Sequence, residues 1–214
     1  MTSDMWTARW EQALQACRRL GGDARELRIG QPASEQAVAA VERELKLTLP
    51  SSFRQALIGF SAEVEFRWFL PDKMELPKAL REIFSGECSW SLSHLVELEQ
   101  SRREWVENCF PNPEDEYDRV WHNKLAFHPV GNGDLLALDL SSALAPVIYL
   151  SHDDDLCHGY KLGADFTDFI DRWTRLGCPG AEGWQMAPFI KSSTSLLDPD
   201  GENGRLWRDI FGIQ

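Results

Sequence analysis

His152, Asp153, Asp154, Asp155, Cys157 and His158 stand within seven positions of one another, and imidazole, thiolate and carboxylate are all competent metal ligands. The group is local, however, and no second ligand pair stands at a standard spacing elsewhere. The favoured reading is a solvated acidic loop whose aspartates also satisfy turn amides. A hydrolytic nucleophile needs a recognisable setting such as a GxSxG elbow, and the chain has none. Gly131-Asn132-Gly133 links two expected strands, whereas a phosphate cradle opens a helix, so these glycines are read as a turn. Asp134 and Asp139 are five positions apart along one strand and alternate to opposite faces, so they cannot act as a carboxylate pair. No catalytic, cofactor or metal residue is therefore assigned, and the expectation is a protein that is not an enzyme. What remains is acidity without a reaction centre, in two clusters: Glu114, Asp115, Glu116 and Asp118, and Asp153, Asp154 and Asp155. These seven are the candidate partner-binding residues.

The elements that must carry these clusters follow from periodicity. Trp6, Trp10, Ala13, Leu14, Cys17 and Leu20 recur at helical spacing until Gly21-Gly22. Ser34 caps a second helix with Val38, Val41 and Leu45 on its apolar side, and after Pro50 a third carries Phe53, Leu57 and Phe60. Val64, Phe66 and Trp68 alternate with Glu65 and Arg67 as in a strand with one buried face. Residues 71–90 show no firm pattern. A helix is expected over 91–109, closed by Pro111 and Pro113, and PNPEDEYD follows as an exposed acidic loop. Three strands, near 125–130, 135–140 and 147–151, are joined by short connections, which favours a local antiparallel meander over βαβ winding. Phe166, Phe169, Ile170, Trp173 and Leu176 mark a last amphipathic helix before Gly177, and LWRDIFGIQ is an apolar ending able to dock on the domain.

Bulk properties set the class. The chain has 214 residues, 43% of them hydrophobic, and nine tryptophans, enough for one good core. Its formal charge of −12 argues against a phosphate-backbone binder and favours a basic partner. Five cysteines, at 17, 88, 109, 157 and 178, show no CxxC spacing, and reduced thiols in a cytosol are the simple reading. No segment approaches the roughly 20 apolar residues that span a bilayer, and the first twenty residues contain no signal-peptide core. A cytoplasmic protein without membrane association is expected.

Three ordered blocks carry a family resemblance. VERELKLTLPSSFRQALIGF (41–60), VGNGDLLALDL followed by PVIYLSHDDD, and ADFTDFIDRW together resemble the SUKH superfamily, which unites bacterial toxin-immunity proteins with fungal regulators of cell-wall synthesis. The blocks run from about Ser34 to Leu176. The resemblance implies an α+β fold with a central, mainly antiparallel sheet and helices packed on it. It divides the chain into an N-terminal helical extension (1–33), a SUKH-like domain (34–177) and a C-terminal tail packing on that domain (178–214), with 71–90 and 107–120 as insertions. It also implies a function: a cytoplasmic immunity protein that binds and blocks a cognate, basic, nuclease-type toxin domain, without direct nucleic-acid contact or cofactor. The alternative it implies is a regulatory protein-interaction or small-ligand-binding module of the cell-wall-regulator type, also non-catalytic.

Overall fold

Trp6, Trp10, Ala13, Leu14 and Cys17 are buried along one side of helix α1 (Thr2–Arg19), because helical spacing gathers them into a single stripe. The structure, a computed structural model, describes residues 2–153 and 157–213. Strands β1 (Asp23–Ala24) and β2 (Arg28–Ile29) follow, where the sequence suggests helix stop and linker. Both lie antiparallel along one edge of β3 (Glu63–Phe69). Helices α2 (Glu35–Leu45) and α3 (Ser51–Gly59) intervene. Ser34 caps α2 through a 3.1 Å bond from the Ala37 amide, and Lys46 closes it in the left-handed region at φ 58°.

The other edge of β3 pairs along its whole length with β4 (Ser85–Ser91). This strand lies in the stretch that shows no firm pattern in the sequence, since serines, Glu87 and Gly86 dilute its alternation. Its glycine has a packing cause. Trp68 sits directly across the ladder from Gly86, and a Cβ there would come within 2.1 Å of the indole Cε2.

Helices α4 (Leu95–Asn108) and α5 (Asp118–Trp121) lead into a second four-stranded sheet: β5 (Lys124–Pro129), β6 (Leu135–Asp139), β7 (Val147–Leu150) and β8 (Lys161–Gly163), in chain order and antiparallel throughout. The expected antiparallel sheet thus comes as two four-stranded sheets. They meet where β4 and β5 adjoin, and there His128 Nδ1 lies 3.1 Å from the Ser89 carbonyl and 2.8 Å from its hydroxyl. The chain closes with α6 (Phe166–Arg175), α7 (Gly183–Met186), a 3-10 turn (Ala187–Phe189) and α8 (Glu202–Phe211).

The first sheet is buried on one face only, which is why β3 alternates so cleanly. The meander is covered on both faces. A large core of α1, α3, α6 and α8 packs against one side, and a smaller one with Phe110 and Trp121 packs against Ala126, Leu135, Ala137, Ile148 and Leu150 on the other. Two covered faces explain why β6 and β7 read as nearly continuous apolar runs. The N-terminal helix and the tail belong to the large core. Trp207 stacks on Trp68 and Phe211 and donates from Nε1 to the Leu176 carbonyl at 2.7 Å.

Candidate partner interface

Asp134 ends the β5–β6 turn, where Gly133 takes φ +100° and the Asn132 carbonyl oxygen of the side chain accepts the Asp134 amide at 3.0 Å. The turn delivers the Asp134 carboxylate into a completely buried position. There it accepts hydrogen bonds from the Tyr149 hydroxyl (2.6 Å), Asn132 Nδ2 (2.7 Å), the His152 amide (2.9 Å) and His152 Nδ1 (2.6 Å). Tyr149 in turn accepts the Gly183 amide at 2.8 Å. One buried carboxylate therefore ties the hairpin turn to the backbone and ring of the segment that follows β7. Asp139 lies at the other end of β6, paired with Lys124 at 3.1 Å. Burial works to raise its carboxyl pKa, but the Ser141 amide and Lys124 outweigh it and hold the group below its usual range. Burial pushes the Lys124 ammonium the other way, below the usual lysine range, with Asp139 opposing.

The same segment binds the acidic loop. The Ser151 carbonyl accepts the Tyr117 hydroxyl at 2.7 Å and Trp121 Nε1 at 3.1 Å. The Ser151 amide donates to His158 Nδ1 at 3.0 Å, and His158 Nε2 donates to the Tyr117 carbonyl at 3.1 Å while the two rings stack 3.8 Å apart. Within the loop, Asp115 accepts the Tyr117 and Asp118 amides, and Asp118 accepts the Asn112 amide. These two carboxylates shape the loop. Glu114 and Glu116 are exposed and, among the described residues, form no ion pair.

The structure thus brings two clusters, 35 or more residues apart in sequence, to one side of the molecule. Asp153 is exposed there, and its carboxylate accepts the Ser151 hydroxyl at 3.0 Å. Asp154 and Asp155 lie outside the described residues. Between the clusters Trp105 is half-buried, its ring 5.2 Å from His152 and 6.1 Å from both Phe110 and Trp121.

The ligand-type residues divide. Asp134, His152 and Asp153 bring candidate donor atoms within 4.8 Å of one another. Cys157 Sγ instead faces the Gly183 carbonyl at 3.3 Å, and both His158 nitrogens are engaged as described. The Asp134 oxygen nearest His152 already accepts two hydrogen bonds from that residue, so the geometry is that of a latch holding a loop. Tyr117, Trp105 and Asp134 carry this arrangement, and sequence reasoning assigned none of them to it. An aromatic inside an otherwise acidic EDEYD run was the available signal for Tyr117.

No helix among the described residues is long and apolar enough to cross a membrane. No curated protein matches the chain. The profile described as the SMI1 / KNR4 family (SUKH-1) matches residues 32–172, which span helices α2 and α3, strands β3 to β8 and most of α6. With two thirds of its length inside that match, the chain belongs to the SMI1 / KNR4 family (SUKH-1).

Proposed function

We propose that the protein is an immunity-type member of this family: a cytoplasmic, non-catalytic chain that binds a basic, nuclease-type bacterial toxin domain and blocks it by occlusion. The observation that carries this reading is the joining of the Glu114–Asp118 loop to the His152-Asp153 segment through Tyr117 and Ser151. In a chain of net charge −12 it concentrates carboxylates around the half-buried Trp105. Acid clusters of this kind draw in a basic surface and raise the encounter rate, while an aromatic that the partner covers supplies holding energy. A nuclease is the fitting class of toxin, because its own substrate demands a positive cleft.

The test is co-expression with a toxin domain encoded beside the gene. Growth should be rescued, and the purified pair should associate at a rate that falls steeply with salt. Combining Glu114→Gln and Glu116→Gln with neutral replacements at Asp153, Asp154 and Asp155 should slow association roughly tenfold at low salt and flatten that dependence. Dissociation should change little. An unaltered association rate would remove both clusters from the mechanism. If the neighbouring toxin is not neutralised, the immunity reading fails and the regulatory branch of the family takes its place.

A further inference from the structure

The open face of the first sheet forms one wall of a groove of about 590 Å3, closed by the N-terminal half of α4 and the end of β5. Half-buried Leu98 and exposed Pro129 give it an apolar lining, over the backs of Trp90 and Phe127, each only 2% exposed, and Glu63, Glu65 and Glu97 also line it. No lysine or arginine lines it, and exposed His94 stands at the start of α4 on the same side. Glu65 is partnered by Arg28 at 3.2 Å, a pair with both side chains mostly exposed. Among the described residues neither Glu63 nor Glu97 has an ion-pair partner, and both are exposed. Ser89 and Ser91 line the same wall, their hydroxyls engaged by His128 and Ser93.

A solvated acidic face alone would carry no ligand. What distinguishes this one is an apolar trough beneath unpartnered carboxylates. That combination suits a side chain with a long aliphatic stem and a cationic head, which buries the stem while the head stays at the rim. Arginine fits better than lysine. Its planar guanidinium can bridge two carboxylates with separate N–H donors, whereas an ammonium is a compact, strongly hydrated charge. Leu98, Ser101 and Trp105 lie three and four positions apart on one flank of α4, so this flank leads from the groove to the acidic face around His152.

We propose that this groove receives an arginine side chain of the partner protein, held between Glu63 and Glu97, as a second anchor beside the acidic face. The partner's identity as a toxin rests on the function proposed above. The chemistry of the groove does not.

The test uses the full chain, labelled with 15N, and the peptide acetyl-Gly-Arg-Gly-amide as probe. Saturable shifts at Ser89, Ser91 and the first turns of α4 are expected, with binding at least about fivefold tighter than to the isosteric citrulline peptide, which lacks the charge. Joint Glu63→Gln and Glu97→Gln replacement should weaken binding about tenfold with an unchanged melting temperature, because both groups are at the surface. Shifts confined to the Glu114–Asp118 loop, or equal binding of the citrulline peptide, would overturn the proposal. A lysine peptide or spermidine binding more tightly would assign the groove to a different cation and overturn it as well. The outcomes separate from the immunity reading: an arginine-binding groove in a chain that neutralises no toxin defeats only the earlier proposal, and the reverse result defeats only this one.

Discussion

Replacing Asp134 with alanine should destabilise the protein by about 3–5 kcal/mol, the range for breaking a buried, charge-assisted network. Four donors converge on this fully buried carboxylate, at 2.6 to 2.9 Å. At about 1.5–3 kcal/mol per bond to a charged group the simple sum overshoots, because not every donor is stranded when the acceptor leaves. His152 keeps a side-chain exposure of 24% and can turn its ring to water, and half-buried Asn132 can do the same. The Tyr149 hydroxyl and the His152 amide have less freedom, and two stranded donors at about 1–3 kcal/mol each give most of the total. For a chain of this length each kcal/mol lowers the melting temperature by roughly 2–4 °C. Urea unfolding followed by tryptophan fluorescence measures the loss, and hydrogen exchange at the His152 amide reports the latch itself. Asp134→Asn keeps one acceptor and should lose about half as much, which provides a readout if the alanine variant does not fold. A loss under about 1 kcal/mol in the alanine variant, or unchanged protection at His152, would refute the role assigned to this carboxylate.

Three further outcomes are expected. Gly86→Ala should cost about 1–3 kcal/mol through collision with the Trp68 indole, and a simultaneous Trp68→Leu should recover part of it; additive losses in urea unfolding would contradict that cause. Trp207→Ala should cost about 3–5 kcal/mol although it lies outside the family match, since it removes the ring stacked on Trp68 and Phe211; a melting temperature within a degree or so of wild type would mean that the tail is not part of the core. His128 gives a pH signature. Burial depresses its pKa, with Glu87 and the Ser89 backbone opposing and Arg67 reinforcing, so between the depressed folded value and the unfolded one near 6.5 the unfolded state binds the extra proton. Stability should therefore be fully present above about pH 6.5 and fall below it by up to about 1.4 kcal/mol per pH unit from this group. His128→Asn should lose that component, and equal slopes for the two proteins between pH 7 and 5.5 would remove His128 as the cause.

The sequence by itself determined the elements whose apolar residues follow one unbroken period. Helix α1 with its two tryptophans, the β3 alternation, the β5–β7 meander and the amphipathic α6 are all legible that way, and three ordered blocks were enough to reach the family. Strand β4 was not, because Gly86 is there to make room for Trp68 and not to follow a local propensity. Two-residue β1 and β2 were not, because their existence depends on the edge of β3. Tertiary structure alone decided the candidate interface. A carboxylate's position in sequence does not say whether it will cap its own turn, as Asp115 and Asp118 do, stand free in solvent, as Glu114 and Glu116 do, or vanish into the interior, as Asp134 does. The burial of Asp134 and the docking of the acidic loop rest on hydrogen bonds between residues 15 to 41 positions apart. Period reports which side of an element is buried, whereas only the packed chain says what it is buried against.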